Sequence, residues 1–125
     1  MTNFIDANVI IRAFTENSDK HNCREFLTKF FVTDALCIVE GQHGISKITK
    51  DKTYAAACVK SLYKLSCRII DLDKNLLFET LKRNEKYELS TFDLIHYTAA
   101  LIDNCSEFVS YDKDFDDLEI KRVEP

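Results

Sequence analysis

Proline, glycine and tryptophan are nearly missing from this chain. The only proline is the last residue, there are two glycines in 125 residues, and there is no tryptophan. Gly41 and Gly44 are too few to build a Gly-x-x-x-x-Gly-Lys or Gly-x-Gly-x-x-Gly phosphate loop, and no Pro- or Gly-rich linker or low-complexity segment divides the chain. No apolar run is long enough to span a bilayer, and no charged-then-apolar leader precedes the first strand, so a cytoplasmic protein with no membrane partner is expected. The five cysteines (Cys23, Cys37, Cys58, Cys67, Cys105) are odd in number, scattered and never spaced Cys-x-x-Cys. That usage fits reduced core residues better than a disulfide framework or a metal cage.

Excess positive charge is also absent. The formal net charge is −4, whereas a protein that simply coats nucleic acid is normally basic, because Lys and Arg displace counterions from phosphates. An acidic balance leaves open an enzyme whose carboxylates hold metal ions, since those ions supply positive charge locally.

What is present is an alternation of strand and helix patterns over residues 1–125, the expected extent of a single domain. “NFI” reads as a short strand and “ANVIIRAF” as a helix. “SDKHNCREFLTKFFV” reads as a helix capped by Ser18, with Cys23, Phe26, Leu27 and Phe30 on one stripe, running into a short strand at 31–33. “TDALCIVEGQHGISKIT” fits a helix capped by Thr33 or Asp34, with Ala35, Leu36 and Val39 inward, although each glycine costs ~1 kcal/mol in a helix interior. “KTYAAACVKSLYKLS” should be a helix burying Tyr54, Cys58, Ser61, Leu62 and Leu65, followed by a buried strand, “CRIIDL”. “KNLLFETLKRNEKY” and “STFDLIHYTAALIDN” are further helices, the latter with Ile95, Thr98, Ala99 and Ile102 inward. “EFVSY” is a strand, “DKDFDDL” a turn or short helix, and “EIKRVEP” a last strand. Such alternation implies a mostly parallel sheet covered on both faces, a three-layer α/β/α sandwich.

Active sites in these sheets lie beyond the carboxyl ends of the strands. Asp6 and Asp112 each follow a strand, Asp114 and Asp116 come close behind Asp112, Asp93 lies in the first turn of a helix, and Glu40 lies on a helix. Each acid also has a structural reading. Asp6 can cap the helix after it, Asp93 fits a capping box with Ser90, Glu40 can be an exposed helix carboxylate, and Asp112 can form a turn. Chain pattern alone does not bring Glu40 and Asp93 to the other two.

The ordered set of segments resembles the PIN-domain family and, within it, the VapC-type toxins of toxin–antitoxin pairs. “FIDANVII” is similar to the opening strand-Asp-x-Asn signature, “LCIVEGQHGI” to the glutamate-bearing helix, “TFDLIHYTAAL” to the helix with the third acid, and “FVSYDKDFDDLEIKRVEP” to the closing Ser/Thr-x-Asp-x-Asp-Phe segment. The resemblance implies a ribonuclease dependent on Mg²⁺ or Mn²⁺, with Asp6, Glu40, Asp93 and Asp112 as metal-holding catalytic acids. It assigns Asn8 and Ser110 supporting polar roles and leaves Asp114 as an alternative fourth acid. A homodimer, a small antitoxin protein as partner and an RNA substrate are implied with it. One departure is that Gly41, Gln42, His43 and Gly44 follow the glutamate where apolar residues are usual.

The chemistry of such a set is coherent. Four carboxylates in one cleft repel, so without a cation at least one should hold a proton near neutral pH. Hard divalent cations prefer oxygen ligands and can activate a water for attack on phosphorus. Arg12 and Lys113 lie near the motifs and are candidates for RNA phosphates. His96, one turn after Asp93, reads as a packed, hydrogen-bonded histidine or a contact to substrate or metal shell, and His21 as solvated. Two rival readings remain. One is a phosphohydrolase with an aspartyl nucleophile, weakened by Asn8 where a second Asp would stand; the other is a catalytically inactive PIN-like binding module.

Overall fold

Five short strands form one all-parallel sheet in the computed structural model, which describes residues 2–125. They are β1 (Asn3–Ile5), β2 (Phe31–Asp34), β3 (Cys67–Ile70), β4 (Glu107–Val109) and β5 (Lys121–Val123), in the spatial order β3-β2-β1-β4-β5. Phe4 in the central strand stands opposite Val32 on one side and Phe108 on the other. Between β1 and β2 run α1 (Ala7–Ala13) and α2 (Lys20–Phe26); between β2 and β3 run α3 (Ala35–Thr49) and α4 (Lys52–Leu62). The return from β3 to β4 carries α5 (Lys74–Lys82) and α6 (Thr91–Ile102), and a 3₁₀ turn, Lys113–Phe115, precedes β5. Because parallel crossovers are right-handed, the change of direction after β3 sends α5 and α6 to the face opposite α1–α4. The α/β/α architecture expected from the alternation is the one observed.

Aspartates start most of the helices. Asp6, Asp34, Asp51 and Asp73 each accept a backbone N–H at the first turn, and Ser90 does the same for α6. The core under the sheet is aromatic: the rings of Phe4 and Phe108 lie 5.0 Å apart and those of Phe108 and Phe115 4.2 Å apart. The buried Tyr97 hydroxyl accepts from the Ile120 N–H at 2.9 Å, tying the last segment to α6. All five cysteines are free thiols, with only Cys67 less than buried. No described helix is long and apolar enough to cross a membrane.

Several inward faces differ from the expected ones. On α3 the buried residues are Cys37, Ile38, Gly41 and Ile45, while Val39 is 62% exposed. The inner stripe alternates isoleucine with the small residues Cys37 and Gly41, so it does not register as a run of large apolar side chains. On α4 the buried set is Ala55, Cys58, Val59 and Leu62, whereas Tyr54, Ser61 and Leu65 face solvent. Ser18 does not cap α2; Asp19 precedes it and spends its carboxylate on Arg12 instead of the helix end. Phe30 is exposed beyond that helix, and β3 is half-buried because it is an edge strand. Helix α6 is buried nearly all round from Leu94 to Ala100, leaving Ile102 at its exposed end.

Candidate metal centre

The strand order reverses at β1: the chain moves outward through β2 to β3, then returns to β4 and β5 on the other side. Connections leaving β1 and β4 therefore diverge and open a crevice beyond their carboxyl ends. Asp6 is the first residue past β1 and is 5% exposed. Its Oδ1 accepts the Ala7 N–H at 2.8 Å and its Oδ2 accepts the Ser110 hydroxyl at 2.7 Å. The same hydroxyl oxygen accepts the Asn8 amide and the Asp112 N–H, each at 3.0 Å, and Asn8 Oδ1 accepts the Tyr111 N–H at 3.2 Å. One donor and two acceptor sites exhaust what a serine hydroxyl offers. Ser110 and Asn8 thus lock the ends of β1 and β4 together around Asp6.

Asp93 approaches from the first turn of α6, where its N–H donates to the Ser90 Oγ at 3.3 Å. Carboxylate oxygens of Asp93, Asp112 and Asp114 all lie within 4.8 Å of one another. The Asp112 carboxylate also accepts the Asp114 N–H at 2.9 Å, so the tight turn after β4 presents both acids side by side. Burial pushes the Asp93 carboxyl up to about 6, and the negative charges of Asp6 and Asp112 push the same way. The Asp6 pKa is also raised, by burial first; His96, Ser110 and the Ala7 N–H oppose the rise and Glu40 adds to it. These mutual influences place Asp6, Glu40, Asp93 and Asp112 in one electrostatic neighbourhood, with Asp114 at its rim. Asp6 and Asp93, both raised by burial, stand with Asp112 and Asp114 as a set of carboxylate oxygens that suits a hard divalent cation such as Mg²⁺ or Mn²⁺.

Glu40 reaches this neighbourhood from the second turn of α3, which continues as an unbroken helix through both Gly41 and Gly44. One of its oxygens accepts from His96 Nε2 at 2.6 Å. On the other side of the ring, Nδ1 meets the carboxylate of Asp34, a fully buried residue at the end of β2, at 2.7 Å. Asp34 was legible in sequence only as a cap, and it does cap α3 through Cys37 N–H at 2.7 Å. Its second role depends on α6 crossing the end of β2, which no local pattern announces. His96 itself is 1% exposed. Burial works against charge on its ring, but Cys37, Asp34 and Glu40 outweigh that and raise its pKa above the ordinary value. The Cys37 thiol is itself pushed up to about 12 by burial, so it is neutral and the two carboxylates are the partners that keep the imidazolium charged. Asp6, Cys37 and His96 also come within 4.8 Å of one another, but both ring nitrogens are taken, so this trio is a bonded core rather than a ligand set.

Of the two basic candidates, Arg12 is ion-paired with Asp19 and its guanidinium lies 4.1 Å from the Tyr111 ring centroid. Lys113 is exposed in the 3₁₀ turn next to Asp112 and forms no ion pair among the described residues. His21 is exposed and faces Glu25, as its position on a solvated face suggested.

The fold and this arrangement of acids can be set beside known proteins. No curated protein matches the chain by sequence. Among solved structures, VapC20 of Mycobacterium tuberculosis, a toxin that cleaves the sarcin–ricin loop, superposes with a TM-score of 0.80 at 14% identity, covering 98% of this chain and 99% of that one. A toxin–antitoxin complex from Klebsiella pneumoniae matches with a TM-score of 0.74 at 16% identity, over 96% of this chain and 94% of its counterpart. VapBC2 from Rickettsia felis, bound to a DNA fragment from their promoter, matches with a TM-score of 0.75 at 18% identity, over 100% and 99%. At such identities these likenesses show a shared fold. The family model for the PIN domain matches residues 4–121, from within β1 to the start of β5, and the chain belongs to the PIN domain family.

Proposed function

We infer that this protein is an endoribonuclease dependent on Mg²⁺ or Mn²⁺, the toxin of a toxin–antitoxin pair. The observation that carries the reading is the convergence of Asp93, Asp112 and Asp114 within 4.8 Å, beside Asp6, at the point where the strand order reverses. Asp6, Glu40, Asp93 and Asp112 would hold the cation, with Asp114 as the alternative fourth acid. When bound, such an ion supplies an activated water and charge to stabilise the leaving oxygen of a phosphodiester.

The chain's own residues prepare that chemistry. Ser110 and the Ala7 N–H fix the direction of the Asp6 carboxylate. Asn8 holds Ser110 and the Tyr111 backbone, so it supports the site rather than acting as a second acid. That assignment disfavours an aspartyl-phosphate route. Glu40 has one oxygen held by His96 and can orient the attacking water through the other. Lys113 is placed to meet an RNA phosphate; Arg12 could do so only by leaving Asp19. With a net charge of −4, the protein would rely on the bound cation and a few such groups rather than on a basic surface to hold RNA.

Residues 1–125 act, in this reading, as one PIN-like domain. A homodimer and a small antitoxin that blocks the crevice are proposed as partners, the antitoxin supported by structural neighbours that are themselves toxin–antitoxin assemblies. Five free thiols suit the reducing cytoplasm.

The test is incubation of purified protein with structured and single-stranded RNA in Mg²⁺, Mn²⁺ or EDTA, beside Asp6→Asn. Metal-dependent cleavage that drops on the order of 10²-fold in the variant is expected. Cleavage that survives in Asp6→Asn would place the activity elsewhere. No cleavage, together with no stabilisation by metal, would leave the inactive binding module as the better reading.

A further inference from the structure

Of the four acids in the proposed centre, Glu40 is the one that chain geometry restrains least. It sits on a helix rather than at a strand end, it is followed by a glycine, and its side chain is 32% exposed. A glutamate in that setting has three rotatable bonds and water within reach. Its carboxylate is nevertheless engaged by His96 Nε2 at 2.6 Å. His96 cannot drift with it, because Nδ1 is bound at 2.7 Å to Asp34. Asp34 in turn cannot move, since its other oxygen caps α3 through the Cys37 N–H. The result is a continuous line of hydrogen bonds from the end of β2, through α6, to the outward-facing acid of α3.

We propose that His96 is a positioning residue: anchored by the buried Asp34 carboxylate, its ring holds the Glu40 carboxylate in the place that the metal centre requires. The inference rests on the metal-nuclease reading of that centre. It assigns to Asp34 and His96 what Ser110 does for Asp6. Metal-binding carboxylates depend on such outer partners, whose loss typically lowers metal affinity about 10- to 100-fold. A role confined to packing would be met by the Asp34–His96 pair alone. The second bond, to a residue with access to solvent, is the part that packing does not require.

Two substitutions separate the arms of the ring. In His96→Asn the side-chain amide can reach about as far as Nδ1, toward Asp34; in His96→Gln it can reach about as far as Nε2, toward Glu40. Mn²⁺ affinity is measured by calorimetry for wild type, both variants and Glu40→Gln, with RNA cleavage followed in parallel. Roughly tenfold or greater loss of Mn²⁺ affinity is expected in His96→Asn, matching Glu40→Gln, with most of it restored in His96→Gln. Equal losses in the two His96 variants, or wild-type affinity in His96→Asn, would overturn the proposal. Should the variants not fold, the wild-type protein decides. The His96 Nε2–H resonance should shift when Mg²⁺ perturbs the Asp93 and Asp112 amides, while the His21 and His43 rings do not; an unmoved His96 would refute the role. Wild-type protein that binds Mn²⁺ in this His96-dependent way yet cleaves no RNA would overturn the ribonuclease reading while supporting the positioning role. No Mn²⁺ binding at all would overturn both.

Discussion

The Asp93 carboxyl in the metal-free protein titrates at about 6 against an ordinary value of 3.8, first because it is buried and then because Asp6 and Asp112 lie close. The folded chain therefore binds that proton more tightly than the unfolded chain does. The associated stability is complete below pH 3.8 and is lost as pH rises through about 6. Asp93→Asn carries no such charge, so in EDTA its Tm should gain on that of the wild type as pH is raised from about 4 to 7. Calorimetry at stepped pH reads this directly, and a Tm difference that stays constant would remove the argument from repulsion. Ser110 makes a second case at the same scale. Ser110→Ala leaves the buried Asp6 Oδ2, the Asn8 amide and the Asp112 N–H without their shared partner, which should cost about 1–3 kcal/mol in urea unfolding. A cost within error of zero would mean that water replaces the hydroxyl there.

Helix α3 shows how an element can be right in extent and wrong in phase. Its boundaries follow from the Asp34 cap and the apolar content of 35–49, but its inner face is Cys37, Ile38, Gly41 and Ile45. The two glycines that count against a helix by propensity are there because α1 lies against them. A Cβ on Gly41 would meet Ile10 Cγ2 at 3.2 Å, and one on Gly44 would meet Ile11 Cδ1 at 2.3 Å and Cγ1 at 2.8 Å. Alanine gains ~1 kcal/mol of helix propensity at either position. At Gly44 overpacking of about 1–3 kcal/mol should outweigh it, whereas at Gly41 the two nearly cancel. Thermal unfolding of Gly41→Ala and Gly44→Ala should therefore rank Gly44→Ala as the less stable. The reverse order would show that Ile11 turns aside freely and that α1 does not depend on the close approach.

At the scale of the whole molecule, the proposed metal centre predicts that a divalent cation stabilises the fold by relieving repulsion in the acidic crevice. A cation that binds only the folded state should raise stability by about 2.7 kcal/mol when present at a hundred times its Kd. Mn²⁺ and Mg²⁺ should each raise the Tm of the wild type, and Asp93→Asn should lose most of that rise. Equal shifts in wild type and variant would assign the effect to ions bound elsewhere. The sheet is what gathers the acids. Strands short enough to end at Ile5, Asp34 and Val109 bring three chain segments to one edge, and the reversal of order at β1 keeps helices from covering it.

Strand and helix alternation, the caps at Asp6, Asp34 and Ser90 and the place of Asp6 just past β1 are local properties, set by side chains within a few residues of one another. They were legible without coordinates, and with them the α/β class. The inner faces of α3 and α4, the exposure of Val39 and Ile102 and the half-burial of β3 were not, because each depends on which neighbour the element meets. The same holds for the site. Sequence supplied the acids one by one, but only packing brings Asp93 on α6 to Asp112 after β4, and only the crossing of α6 over the end of β2 sets His96 between Asp34 and Glu40. A hydrogen bond between residues 56 or 62 positions apart leaves no periodic trace in the chain, since it exists only where the fold has already brought its partners together.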